Sequence, residues 1–355
     1  LSKIKVFVID DSAVFRELLA KELEKEPEFE VVGRAADPII AKKLLAGSRP
    51  DVVTLDVEMP RQDGLSFLSE LMAENPIPVV MISSLTDAGC AATLRAFELG
   101  AVDAIAKPRD GDLAELGRRV RDAVRAAASS RPRPPSAGVA NLDPATPQAA
   151  PRPATTKLIL SEEQCASRIV AIGASTGGTE ALKEVLAALP RMFPPIVIVQ
   201  HMPDGFTGHF AKSLSQLSRI QVIEAPKEDV TLRPGLAVLA HGGLHLLVHG
   251  EAGRLVAQVR DGPPVRNHKP SVDVLFTSVA KAAGNRALGV ILTGMGDDGA
   301  RGMLKMKESG AVTIAQDAAS CVVYGMPKRA VELGGVERTV NLDHIGVELV
   351  RSVAR

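Results

Sequence analysis

The sequence predicts a chain of two α/β domains, each built on a parallel sheet. Three features carry this. In residues 1–124, short apolar runs rich in β-branched residues alternate with segments of helical period, the pattern of parallel strands covered on both faces. Residues 125–166 then hold seven prolines, many alanines and almost no large apolar groups. Such a stretch buries too little apolar surface to offset its ordering entropy, so it reads as a linker, semi-extended where prolines cluster, or else as an ordered arm on a domain surface. Residues 167–355 reopen with strand, tight turn and helix. A total of 355 residues agrees with two domains of ordinary size.

In the first domain, strands are expected at 6–9, 31–34, 52–55, 79–82 and 104–106, with helices near 13–25, 38–46, 65–74, 89–99 and 112–127. That alternation defines a flavodoxin-like doubly wound domain. In the second, a strand at 169–172 leads through a turn at 173–178 into a helix at 180–189, and a strand follows at 196–199. Strands at 237–240, 244–248 and 255–259 allow hairpin pairing. A helix near 272–282, a strand at 288–292, a helix near 299–308, a strand at 312–315 and a helical C-terminal stretch complete the pattern. This second domain is mainly parallel, Rossmann-like, with a β-hairpin.

Composition narrows the function. Lys plus Arg and Asp plus Glu are each 42, so bulk electrostatic affinity for nucleic acid or anionic membrane is not expected. The balance hides a split of −6 over residues 1–124 and +6 over the remainder. With no Trp and only Tyr324, a stacking platform for single strands is also not expected. Cys90, Cys165 and Cys321 lack metal-site spacing and fit a reducing compartment. No apolar run approaches a membrane span, and the opening IKVFVI has no signal-peptide layout, so the expectation is a cytoplasmic protein without membrane insertion.

In an open parallel sheet, functional groups collect at the carboxyl ends of the strands. Asp10 and Asp11 follow the first expected strand, Asp56 the third, Ser83 and Ser84 the fourth and Lys107 the fifth. Read alone, Asp10 and Asp11 serve equally as a cap for the next helix. Taken together, three converging carboxylates repel one another and need a cation, and an oxygen-only donor set suits Mg²⁺. The segments DDSAVFREL, LDVEMPRQDG, ISS and AKP resemble the response-regulator receiver domain of two-component signalling over residues 1–124. The resemblance implies that Asp56 accepts phosphate from a histidine kinase. It also implies that Asp10, Asp11, Asp56 and the backbone carbonyl of Glu58 ligate Mg²⁺, that Ser83 and Lys107 sense the phosphoryl group, and that Lys107-Pro108 is cis. Many receivers carry a switch aromatic on the fifth strand; residues 102–106 have none, and Ile105 is the nearest bulky side chain.

In the second domain, Gly173-Ala174-Ser175-Thr176-Gly177 fits G-x-S-x-G between strand and helix, which holds a serine at a helix N-terminus. The motif alone reads also as a phosphate-binding turn, or with Ser175 as an N-cap. A nucleophile needs a base and the base an orienting carboxylate. The strand at 196–199 ends in Gln200-His201-Met202-Pro203, and the strand at 288–292 runs into TGMGDDG, with Asp297 and Asp298 competing for the last role. Ser, His and Asp then occur in an order different from ordinary α/β-hydrolases. His241, His245 and His249 recur every four residues, but LHLLVHG alternates as a strand, which argues against metal ligation on a helix. His268, in a polar loop before a helix, fits a substrate groove or plain surface.

The loops IGASTGG, QHMP, RDGPPVRNHKPSVDVLF, LTGMGDDGARGM and QDAASCVVYGMP resemble the catalytic domain of the chemotaxis protein-glutamate methylesterase family (CheB) over roughly 168–355. The expected organisation is therefore receiver 1–124, linker 125–166 and methylesterase 167–355. The resemblance implies Ser175 as nucleophile, His201 as general base and Asp298 as its orienting carboxylate, with Thr176, Met295 and nearby amides shaping the oxyanion site. It implies hydrolysis of glutamate γ-methyl esters on the cytoplasmic helices of chemoreceptors without a cofactor, deamidation of receptor glutamines by the same acyl chemistry, and inhibition by the receiver until Asp56 is phosphorylated. The family usually reads P-V-N-R-H-R-P where this chain has P-V-R-N-H-K-P at 264–270, which bears on receptor preference if that loop meets substrate. The alternative is a phosphorylation-controlled docking module with a degenerate esterase domain; a metal-dependent phosphatase is disfavoured because the second domain lacks a convincing ligand cluster.

Overall fold

The computed structural model describes residues 2–59, 62–84, 86–107, 113–130 and 160–355. They form two compact units. In the first, β1 (Ile4–Ile9), α1 (Ala13–Glu24), β2 (Phe29–Ala35), α2 (Pro38–Ser48), β3 (Val52–Asp56), α3 (Gly64–Glu74), β4 (Val79–Ser83), α4 (Asp87–Glu98), β5 (Asp103–Ala106) and α5 (Leu113–Ala128) follow in strict alternation. The sheet order is β2-β1-β3-β4-β5, with every pair parallel. β3 and β4 are buried along their whole length, which is why they read as continuous apolar runs. The helices start where short polar side chains meet free amides: Ser12, Asp37, Asp63 and Thr86 each accept from a first-turn N–H. The cap of α1 is thus Ser12, which leaves Asp10 and Asp11 for another role.

The segment expected as linker has helical ends. α5 continues to Ala128 because Ala126 and Ala127 are buried on its inner face. At the other end, α6 (Glu162–Ala166) opens with a capping box between Ser161 and Gln164, buries Cys165, and donates from Gln164 Nε2 to Ala354 O at 3.2 Å. The rest of the linker expectation, and the cis bond expected at Lys107-Pro108, fall outside the described residues. Among the described residues, Lys269-Pro270 is a cis X-Pro bond.

In the second unit, β6 (Ile169–Ala174), α7 (Gly178–Ala187), β7 (Ile196–Gln200), α8 (Thr207–Leu217), β8 (Gln221–Glu224), β9 (Val230–Thr231), β10 (Leu236–Leu239), β11 (His245–Glu251) and β12 (Arg254–Arg260) come first. Then follow α9 (Val272–Ala283), β13 (Ala287–Ile291), α10 (Ala300–Glu308), β14 (Val312–Gln316), α11 (Met326–Glu332), β15 (Arg338–Val340) and α12 (Leu342–Ala354). A seven-stranded parallel sheet runs β15-β14-β13-β6-β7-β10-β8. β11 and β12 form the expected hairpin and, with β9, a separate three-stranded antiparallel sheet. β10 differs from the hairpin expectation: it is fully buried and joins the parallel sheet beside β7. The core gathers Ile169, Val197, Val199, Val272, Phe276, Val279, Ile291 and Met303 between the sheet and α9 and α10. Cys90, Cys165 and Cys321 are buried thiols, and burial pushes that of Cys321 up to about 12.

Candidate functional site

The three strands at the centre of the larger sheet bring the serine, histidine and aspartate loops together. In the β6–β7 register Ala174 lies opposite Gln200, and His201 N donates to Ala174 O at 3.0 Å, so Ser175 and His201 leave adjacent strands side by side. On the other flank Ile291 pairs with Gly173, and Ser175 N donates to Thr293 O at 3.0 Å. The cap of α7 is Gly177, with φ of 76° and no side-chain cap bond. Ser175 is therefore not the helix cap, and its hydroxyl makes no hydrogen bond among the described residues. Gly294 closes the space behind it: a Cβ there would lie 2.7 Å from Ser175 Cβ and 2.4 Å from Met326 Sδ.

Asp298 is wholly buried, and it is the aspartate that meets the histidine. Its Oδ2 lies 2.8 Å from His201 Nε2 and accepts from Val272 N at 2.7 Å; its Oδ1 accepts from Ser271 Oγ at 2.8 Å and Asp273 N at 3.0 Å. The carboxylate thus sits on the N-terminus of α9. Burial alone would raise it, but the His201 hydrogen bond and charge, with the Asp273 and Val272 amides, hold it down at about 2. An ionised Asp298 accepting from Nε2–H leaves the proton-accepting lone pair of His201 on Nδ1, which is buried without a hydrogen-bond partner. Thr176 is buried, and Met295, whose amide has no acceptor among the described residues, is half-buried. Amides near α7 and at Met295 are available to an oxyanion.

Several groups to which the sequence assigned no definite role support the constellation. Gln200 is buried and donates from Nε2 to Ser175 O at 2.9 Å and His201 O at 3.1 Å, tying the two loops. His268 stacks on His201, with centroids 3.8 Å apart and planes at 4°, so it is neither plain surface nor remote. Arg266 donates from Nε to Asp273 Oδ2 at 3.0 Å and from Nη1 to Asp297 Oδ2. His245 bridges the same loop internally, accepting from Ser271 N on Nδ1 and donating to Pro263 O from Nε2. Its partners are protein groups, which fits the reading against metal ligation. His249 does stand in an exposed group with Asp229 and Glu251 whose ligand atoms lie within 4.8 Å of one another.

In the smaller unit, Asp10, Asp11 and Asp56 converge at the ends of β1 and β3 with carboxylate oxygens within 4.8 Å. Lys107 Nζ lies 2.7 Å from Asp56 Oδ2 and 2.9 Å from Asp10 Oδ2. Burial pushes Asp56 up to about 6; the Lys107 hydrogen bond opposes this and the Asp10 charge adds to it. Asp10 and Asp56 are buried and Asp11 is exposed, and the single Lys107 ammonium faces both buried carboxylates. Such excess buried negative charge and an all-oxygen donor set fit a hard divalent cation. Glu58 N donates to Asp56 Oδ1 at 3.4 Å. Ser83 is buried, but its hydroxyl donates to carbonyls of Gly89 at 3.1 Å and Ser84 at 3.2 Å, not to the carboxylates. Ile105 is buried in β5, where many receivers carry an aromatic.

A parallel-sheet unit with a converging carboxylate triplet, joined to a second that presents a Ser-His-Asp constellation, defines a regulated hydrolase architecture, and comparison with known proteins names the family. A family model described as CheB methylesterase matches residues 170–349, and one described as response regulator receiver domain matches residues 6–120. The chain is 49% identical to a "Protein-glutamate methylesterase/protein-glutamine glutaminase 3" of Shewanella oneidensis, covering 98% of each chain. It is 46% identical to a "Protein-glutamate methylesterase/protein-glutamine glutaminase" of Salmonella typhi, covering 100% of this chain and 98% of that one. The crystal structure of the Thermotoga maritima CheB methylesterase catalytic domain superposes with a TM-score of 0.51 at 36% identity, covering 52% of this chain and 98% of that one. This chain belongs to the CheB methylesterase family, with a receiver domain ahead of the catalytic domain. Among the described residues, no helix is long and apolar enough to cross a membrane.

Proposed function

We propose that the protein hydrolyses glutamate γ-methyl esters on chemoreceptor cytoplasmic helices, under control of phosphorylation at Asp56, and that it deamidates receptor glutamines through the same acyl-enzyme. The 2.8 Å contact of His201 Nε2 with the buried Asp298, beside Ser175 on the next strand, carries this reading. Ser175 Oγ attacks the ester carbonyl while His201 Nδ1 takes its proton. Amides near Gly177 and Met295 stabilise the oxyanion, with Thr176 walling the site. His201 returns the proton to the departing methoxide, then activates the water that frees glutamate and regenerates Ser175. Glutamine replaces ester as substrate with ammonia as the leaving group.

In the receiver, Asp56 accepts a phosphoryl group from a chemotaxis histidine kinase. Asp10, Asp11, Asp56 and the Glu58 carbonyl would hold Mg²⁺, which offsets negative charge on the carboxylates and phosphoryl oxygens. Lys107 pairs with the phosphoryl group, and Ser83 reaches it by turning its hydroxyl away from Gly89. Phosphorylation biases the protein between an inhibited and an active arrangement, which requires differential contacts in the two states.

The test is methanol release from methylated receptor membranes, with and without a small phosphodonor and Mg²⁺. Release is expected to rise with phosphodonor, to lose that rise in Asp56→Asn, and to vanish in Ser175→Ala. Signalling output that persists in Ser175→Ala, without methanol release from the parent protein, would instead identify a docking module.

A further inference from the structure

His201 is pinned through one nitrogen to Asp298, while its Nδ1 is buried without a hydrogen bond. A ring held by its Cγ attachment and one nitrogen can still tilt about the axis joining them, and its face is therefore a further point of control. That face is covered by the parallel ring of His268, its centroid 3.8 Å away. His268 is delivered by a tight turn. Val265 and His268 exchange both backbone hydrogen bonds, at 3.0 and 2.9 Å, and the two residues between them are left-handed, Arg266 with φ of 51° and Asn267 with φ of 63°. This is a two-residue hairpin turn of the type that favours Gly or Asn at its centre. Asn267 suits it; an arginine does not, and needs outside contacts to hold it there.

Those contacts run to the groups around Asp298. Arg266 bridges Asp273, in the first turn of α9, and Asp297, the residue before Asp298. Asp273 is itself fixed, accepting from Gly302 N at 2.6 Å. The arginine at 266, where the usual order would put asparagine, thus finds a partner in Asp297. We infer that Arg266 is a positioning residue for His201 that acts through His268: its fork locks the 265–268 turn to the Asp298 loop and so holds the stacked ring in place. The inference rests on the proposed role of His201 as base.

A double-mutant cycle in the full-length protein, activated by phosphodonor and assayed by methanol release from methylated receptor membranes, tests it. Arg266→Ala is expected to lower kcat about tenfold with KM within about twofold of the parent. His268→Ala is expected to do the same, and the double variant to be no worse than His268→Ala alone. His268→Phe keeps most of the parent rate and His268→Leu does not, because only a planar ring restores the stack. Arg266→Lys recovers little, since an ammonium lacks the planar fork that spans two carboxylates. Asp297→Asn, which leaves the Asp273 limb intact, gives a smaller kcat loss that disappears in the Arg266→Ala background. Additive losses in the Arg266/His268 cycle, full rescue by His268→Leu, or a rise in KM at unchanged kcat in Arg266→Ala would overturn the inference; the last would make Arg266 a receptor contact. Failure of the underlying reading shows separately, as a parent protein that releases no methanol or a Ser175→Ala variant that still does.

Discussion

Asp298 and Asp56 are both buried carboxylates, and their surroundings push them in opposite directions. Asp298 lies on helix amides beside His201, at about 2, while Asp56 lies buried near Asp10, at about 6, against an ordinary 3.8. A depressed carboxyl stabilises the fold above its unfolded value and loses that contribution as pH falls towards the folded value. For Asp298 the contribution is about 2 kcal/mol, lost between about pH 4 and pH 2. A raised carboxyl does the reverse: charging Asp56 costs stability, beginning as pH rises above about 4 and complete above about 6. Urea unfolding of each domain, without added divalent cation, is expected to show Asp298→Asn less stable than the parent at pH 7.5, the gap narrowing by pH 3. Asp56→Asn is expected to be more stable at pH 7.5, its advantage gone below pH 4. Unchanged gaps across this range would contradict the assigned environments.

At the scale of elements, the catalytic constellation depends on how closely loops approach. Gly294 is one such close approach, because a methyl group there would collide with Ser175 Cβ and Met326 Sδ. Gly294→Ala is expected to cost about 1–3 kcal/mol and to lower kcat more than it raises KM, measured by thermal unfolding and methanol release. Ser175, His201 and Asp298 were legible in the sequence because each follows a buried apolar strand, and a parallel sheet sends all three to one edge. The turn carrying Arg266 and His268 was not, since two left-handed non-glycine residues give no local signal and their partners lie at Asp273, Asp297 and His201. β8 and β15 went unread because both are short edge strands, half-exposed, with Gln221, Glu224 and Arg338 in place of an apolar run. α11 went unread because it spans only seven residues and begins Met-Pro. The clean alternation of residues 1–124 survived translation into structure almost element for element, because the inner strands β3 and β4 are wholly buried apolar runs and each helix between strands opens on a short polar cap.

For the whole molecule, the proposed control requires that the receiver restrain an otherwise competent esterase. Removing residues 1–124 is expected to raise basal methanol release without phosphodonor and to abolish the response to it. Equal or lower activity from a folded fragment would remove the inhibition reading while leaving the Ser-His-Asp chemistry intact.

The three thiols are buried, and that of Cys321, pushed up to about 12, stays protonated at any working pH. Alkylating reagents that attack thiolates therefore find little to modify while the fold is intact. A phosphonate aimed at an activated hydroxyl meets Ser175 without competition from sulfur, so the label that is lost in Ser175→Ala provides a direct count of competent active sites.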